Sequence, residues 1–184
     1  MTTLNITQSN SQIYRAGSYY VKILAFYITE TRNVDKLIQE LRANLAPVRI
    51  QGANSSAILG KKQIIKVLQL TIELWNRGSR LSKSIETDLL LRLCCTDQIK
   101  TAIEFGGLKR DQFAYLILMS KDLVLLFDAE QKINSFHIGK SYSNFNLGRK
   151  KMKQLCDYYE IRSNNVNREY VENTLVERAA LVHL

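Results

Sequence analysis

Few residues in this chain are of the types that do acid–base, nucleophilic or metal chemistry. Histidine occurs at His137 and His183 only, and cysteine at Cys94, Cys95 and Cys156. His137 lies in a polar "SFHIGK" setting and reads as a surface residue; His183 is next to last, where a side chain packs or frays. A zinc ribbon or finger needs paired Cys or His ligands, and three cysteines at these spacings do not supply them. The adjacent Cys94 and Cys95 could offer a thiolate nucleophile, but they follow three leucines, and buried thiols are inert. Glu86 and Asp88 could work as a carboxylate pair. The first turn of a helix, where acids meet the positive end of the dipole, explains them more simply. The sequence carries no HExxH, GxSxG, Walker or GxGxxG pattern. The expectation is a chain with no catalytic set, no metal site, no cofactor and no turnover of its own.

Charge is the stronger chemical signal. Lys and Arg number 26 against 17 Asp and Glu, a net charge of +9, which favours an anionic partner, nucleic acid first. Residues 61–110 hold ten of the cations (Lys61, Lys62, Lys66, Arg77, Arg80, Lys83, Arg92, Lys100, Lys109, Arg110) against five acids. Arg77, Arg80 and Lys83 fall between two expected helices, where side chains can reach a phosphate backbone. Arg149, Lys150, Lys151 and Lys153 form a second cluster. The plain alternative is a solvated basic face that only keeps the chain soluble.

The elements that must position these residues follow from periodicity and punctuation. Residues 1–18 read as a loose polar tail and 19–184 as one α+β domain, with a small mixed or antiparallel sheet packed against several helices. "YYVKILAFYI" (Tyr19–Ile28) is β-branched and aromatic, broken only by Lys22, and reads as a strand buried on both faces. Val34, Leu37, Ile38 and Leu41 recur at helical spacing, with Asn33 as cap and Pro47 beyond the end. "VRIQG" is a second strand. "KKQIIKVLQLTIELWNRG" is the strongest helix, its apolar arc wide enough to be buried on more than one side and Gly78 placed to end it. Ser84 caps the next helix and Thr96 the one after, in which Ile99, Ala102, Ile103 and Gly106 form an inward stripe. "QFAYLILM" is a third strand. The run "DLVLLFDAEQKINSF" admits two readings: a hairpin strand "LVLLF" followed by a helix, or one continuous helix. "LGRKKMKQLCDYYE" and "NREYVENTLVERAALVHL" close the chain as helices, and Val171, Leu175, Ala179 and Val182 form one apolar stripe suited to docking a protein partner. The N-terminus lacks a signal peptide's basic start and apolar middle, and no run is long enough to span a membrane. A cytoplasmic location with no membrane partner and reduced cysteines is therefore expected.

One pattern runs through Gly78, Ser82-Lys83, Asp88 with Leu89-Leu90-Leu91, Gln98-Ile99, Ala102-Ile103 and Gly106, and ends in "LVERAALVHL" (Leu175–Leu184). Together with the strand–helix–strand opening from Tyr19, it resembles the small kinase-associated subunit of the KEOPS complex, the p53-related-protein-kinase-binding family. The resemblance covers about residues 19–110 and 168–184 and none of its motifs is catalytic. The chain departs from the family at "GKKQ", where many members have a histidine early in the long helix. It departs again at Cys95-Thr96-Asp97, where glycine and arginine usually precede Gln-Ile. The resemblance implies a non-catalytic subunit of the complex that makes threonylcarbamoyladenosine in tRNA. That subunit binds the complex's atypical protein kinase and recruits tRNA, in archaeal relatives through the 3′ CCA end. On this reading Lys61, Lys62, Arg77, Arg80, Lys83 and Lys100 would meet phosphates, and Gln98 and Ile99 would lie near the bases. Two rivals stand beside it: a small RNA-processing enzyme using a cysteine or carboxylate, and a purely structural adaptor without RNA contact.

Overall fold

The structure is a computed structural model that describes residues 12–29, 34–136, 138–143, 148–162 and 167–182. The expectations placed on Asn33, His137, His183 and Leu184 lie outside those residues. Within them, an antiparallel sheet forms the middle layer. Strand β2 (Tyr19–Ile28) is central and pairs along its length with β4 (Phe113–Ser120), from Tyr20 opposite Ser120 to Tyr27 opposite Phe113. β3 (Arg49–Asn54) pairs on the far side of β4. The other edge of β2 is shared: β1 (Ile13–Ala16) takes Tyr19–Lys22 and β5 (Gly139–Tyr142) takes Ala25–Ile28. β1 corrects the loose-tail reading at Ile13–Ala16, which folds back across Gly17 to protect the β2 edge; residues 1–11 of that tail lie outside the described residues. β5 carries only Gly, Lys, Ser and Tyr and had no apolar alternation to announce it.

Period-two alternation sends each strand's side chains to opposite faces. On β4, Ala114, Leu116 and Leu118 face one side, with Leu37 and Leu41 of α1 (Val34–Asn44) and Leu126, Ala129 and Ile133 of α5 (Leu123–Ser135). Tyr115, Ile117 and Met119 face the other, with α2 (Lys61–Asn76), α3 (Ile85–Leu93) and α4 (Ile99–Gly106). A third cluster joins Leu59 to Leu155 and Cys156 of α6 (Arg149–Tyr158) and to Val171 and Leu175 of α7 (Arg168–Leu181). The fold is a single-domain α+β arrangement, and its sheet is antiparallel.

Local chemistry explains the helix starts. Ser84 caps α3 by accepting the Thr87 N–H. Of the two readings of "DLVLLFDAEQKINSF", the single helix is the one formed: Asp122 Oδ1 accepts from Val124 N at 2.8 Å and closes the first turn of α5, so "LVLLF" starts a helix rather than a hairpin strand. The α4 cap is Gln98, two residues after the expected Thr96, whose hydroxyl instead accepts the Gln98 N–H. The expected inward stripe of α4 is half correct. Ala102 and Gly106 are buried, whereas Ile99 and Ile103 are about half exposed, at 50% and 47%, because the short helix touches its neighbours along a narrow line. Gly106 lies against Cys94 Sγ, and any side chain there would collide with it.

Candidate nucleic-acid interface

The loop joining α2 to α3 carries Arg77, Arg80 and Lys83, all exposed. Gly78, at φ 86°, turns the chain out of α2, a conformation that costs glycine little. Arg80 then folds back with its guanidinium 4.6 Å from the Trp75 ring centroid, a stacked cation on an aromatic face. Arg77 pairs with Glu73 one turn earlier, with both side chains more than half exposed.

The loop is held from beneath by a buried ion pair. Arg92 Nε lies 2.7 Å from Asp88 Oδ1, with both side chains 1% exposed. Asp88 Oδ2 also accepts the Leu81 N–H at 2.8 Å, and Arg92 donates to Ser79 O at 2.9 Å and to Ala179 O at 3.0 Å. Arg92, counted in the sequence among the cations of residues 61–110, is therefore an internal anchor that fixes Ser79, holds Asp88 against the Leu81 N–H and ties the loop to α7. Asp88 serves this anchor as well as the first turn of α3. A fixed loop presents its cations at a lower entropic cost of binding than a mobile one.

The eight candidate RNA contacts do not share one groove. Lys61 and Lys62 open α2 and Arg77 follows its end, so about 24 Å of helix separates them. Gln98, Ile99 and Lys100 open α4, beyond the other end of α3. The Tyr159 hydroxyl hydrogen-bonds to both Ala57 O (3.4 Å) and Leu93 O (3.3 Å), which places the start of α2 beside the end of α3. The candidates thus form two groups, the loop group (Arg77, Arg80, Lys83) and the group at the opposite end (Lys61, Lys62, Gln98, Ile99, Lys100). In the second group, Lys62 is exposed and 3.7 Å from Glu172, Lys100 is exposed and 3.9 Å from Glu104, and Gln98 donates to Asp97. Lys61 is half-buried and donates to Ser143 O at 2.9 Å.

The structure corrects three of the four residues of the partner-docking stripe. Val171, Leu175 and Ala179 are 0% exposed: they close the domain's own core, and Val182 is half-buried at the helix end. Apolar spacing on a terminal helix does not distinguish a face turned to its own domain from one turned to a partner.

An open cavity of about 430 Å³ lies where the α3–α4 turn meets α6 and the end of α7, lined by Cys94, Cys95, Thr96, Tyr158, Arg178 and Leu181 among others. Tyr158 stacks on Phe105 with ring centroids 3.5 Å apart. Burial pushes both the Cys94 and Cys95 thiols up to about 12; the Cys95 thiolate raises Cys94 further, while Arg178 partly opposes the shift at Cys95. Thiols held so high are almost wholly protonated near neutral pH and make poor nucleophiles.

Sequence reasoning missed the role of Arg168 entirely and saw Lys151 only as one of a charge run. Arg168 donates to Leu59 O at 2.8 Å and Lys151 to Ser55 Oγ at 2.8 Å, so both reach the loop between β3 and α2. Nothing in their local spacing marks them, since the partners lie 109 and 96 residues away. Among the described residues no helix is long and apolar enough to cross a membrane. The chain matches no protein-family model, and no curated protein is significantly similar to it.

Proposed function

We propose that this protein is a non-catalytic RNA-binding subunit, acting in the KEOPS tRNA threonylcarbamoyladenosine-modification complex, where it binds the atypical kinase subunit and recruits tRNA. The observation that carries the RNA-binding part is the anchored basic loop: three exposed cations, one stacked on Trp75, on a backbone fixed by the Asp88–Arg92 pair. Cations track the phosphates, and the exposed Arg80 guanidinium on half-buried Trp75 offers a face to an unpaired base. The sequence resemblance supplies the complex, the kinase and the 3′ CCA end. With Val171, Leu175 and Ala179 in the core, a kinase partner would meet exposed apolar side chains such as Leu181, 57% exposed, beside Tyr158.

The test is tRNA binding by the double variant Arg80→Glu with Lys83→Glu. Both side chains are exposed, so folding is retained, and affinity falls on the order of tenfold or more, largely regardless of tRNA sequence. tRNA trimmed of its CCA end binds more weakly to the wild type. Equal binding of intact and trimmed tRNA rejects the CCA contact, and unchanged binding by the double variant rejects the loop. Failure to capture the kinase from a reconstituted mixture rejects the placement in KEOPS.

A further inference from the structure

The loop from Ser55 to Lys61 collects positive charge that the protein does not neutralise. Lys151 reaches Ser55 Oγ, Arg168 reaches Leu59 O, and Lys61 reaches Ser143 O, all between 2.8 and 2.9 Å and all through neutral acceptors. Among the described residues no carboxylate lies within ion-pairing distance of any of the three. The contrast with the adjoining face of α2 is direct: Lys62 and Lys66 share Glu172, at 3.7 and 2.6 Å. Partly burying an ammonium without a counter-ion is costly. Burial pushes Lys151 down to about 8 and lowers Lys61 as well. Arg168 also acts on the Tyr115 phenol, where it partly opposes the effect of burial.

The backbone at this loop is short of acceptors too. α2 begins with no side-chain cap and no acid in its first turn, so its leading N–H groups await an acceptor. Gln63, 1% exposed, holds its carboxamide at the same turn, accepting the Leu59 N–H at 2.6 Å. Its Nε2 is a buried donor with no partner. Gly60 has φ 155° and ψ −176°, a conformation essentially confined to glycine, and a Cβ there would lie 2.9 Å from Arg168 Nη2.

We infer that Lys61, Lys151 and Arg168, gathered on the Ser55–Lys61 loop at the start of α2, form a binding site for a phosphate group. A phosphate supplies the missing charge, accepts from ammonium and guanidinium donors, and suits a helix N-terminus. The site lies at the far end of α2 from the Arg77–Lys83 loop and does not rest on the RNA-binding proposal. The phosphate has two possible sources, a free phosphomonoester or the backbone of a nucleic acid, and they share this chemistry.

The experiment titrates inorganic phosphate into the full chain at constant ionic strength set with chloride, reading the melting temperature and the amide resonances of Gly60–Lys62. Saturable shifts confined to this turn, with a rise in melting temperature, are expected. Lys151→Met removes an uncompensated charge, so it should melt at or above the wild-type temperature in phosphate-free buffer while phosphate affinity falls on the order of tenfold. Lys150→Met, an equal change in net charge at an exposed neighbour, keeps the wild-type response. If Lys151→Met folds poorly, Lys61→Met puts the same question. A second arm compares a short single-stranded oligonucleotide with and without a 5′-phosphate. Shifts at Gly60–Lys62 with both identify a backbone phosphate, and shifts only with the phosphorylated form identify a monoester. Two results overturn the site: no saturable response to phosphate beyond that of chloride, or an undiminished response in both lysine variants.

Discussion

Arg92 is the residue on which most depends. Its guanidinium satisfies Asp88 and the carbonyls of Ser79 and Ala179, and Asp88 in turn holds the Leu81 N–H. Arg92→Met leaves a buried carboxylate without its partner, and a loss of about 3–5 kcal/mol of stability is expected in urea denaturation. Adding Asp88→Leu recovers only part of that loss, because the Leu81 N–H and two carbonyls stay unpaired. The thiols give a second prediction at this scale. Cys94 and Cys95 titrate near 12 in the folded chain, above their ordinary value of 9.0. The unfolded chain therefore binds fewer protons between those limits, so the thiols' contribution is whole below pH 9 and is lost as pH rises towards 12. Lys151 acts in the opposite sense: held near 8 rather than 10.5, its cost is present below pH 8 and disappears as pH rises to 10.5. The difference in urea midpoint between wild type and Cys95→Ala isolates the thiol part and should shrink above pH 9. Iodoacetamide at pH 8 should leave Cys94 and Cys95 unmodified in the native protein and label them in urea.

At the scale of elements, α7 closes two clusters at once. Leu175 joins Leu59, Leu155 and Tyr159, and Ala179 reaches the cluster under α2 and α3. Leu175→Ala should therefore cost about 2–5 kcal/mol. Leu181→Ala, nearly two turns further and mostly exposed, should stay within about 0.5 kcal/mol while weakening any kinase contact made there. Chemical denaturation of the two variants separates core from surface on one helix. The start of α3 is a smaller effect: Ser84→Ala removes the cap on Thr87 N and should cost about 1 kcal/mol. It also removes the hydrogen bond that the Ser84 hydroxyl donates to Thr87 Oγ1.

For the whole molecule the governing quantity is the +9 charge and how the fold divides it. Arg92 is spent internally, Lys62 and Lys66 share Glu172, and Lys22 pairs with Glu130 in the layer under α5. Of the rest, the Arg77–Lys83 loop and the start of α2 each hold a group of cations, beside others spread over the surface such as Lys109, Lys132 and Lys150. tRNA affinity should fall linearly on a log–log plot against KCl. Replacing Arg77, Arg80 and Lys83 together by Gln should lower that slope by about two to three, roughly one per lost phosphate contact. A slope unchanged by the triple replacement would move the RNA surface elsewhere.

The sequence by itself determined the elements whose cause is local. α2 was legible from a long apolar arc ended by Gly78, α3 from Ser84, β2 from a β-branched and aromatic run, and β4 from the apolar run "QFAYLILM". The α+β class follows from their order. What it left open were properties set by distant partners. Lys22 in β2 reads as a break in a strand until Glu130 is brought opposite it. Arg92 reads as surface charge until Asp88, Ser79 and Ala179 close around it. The stripe Val171–Leu175–Ala179 reads equally as docking face or core, because periodicity reports that a face is apolar and not what covers it. The grouping of basic residues was likewise a tertiary decision: spacing placed Lys61 and Arg80 in one stretch of chain, and a straight helix of about 24 Å set them at opposite ends. The folded chain instead brought Lys61 to the same loop as Lys151 and Arg168, residues 90 and 107 positions away.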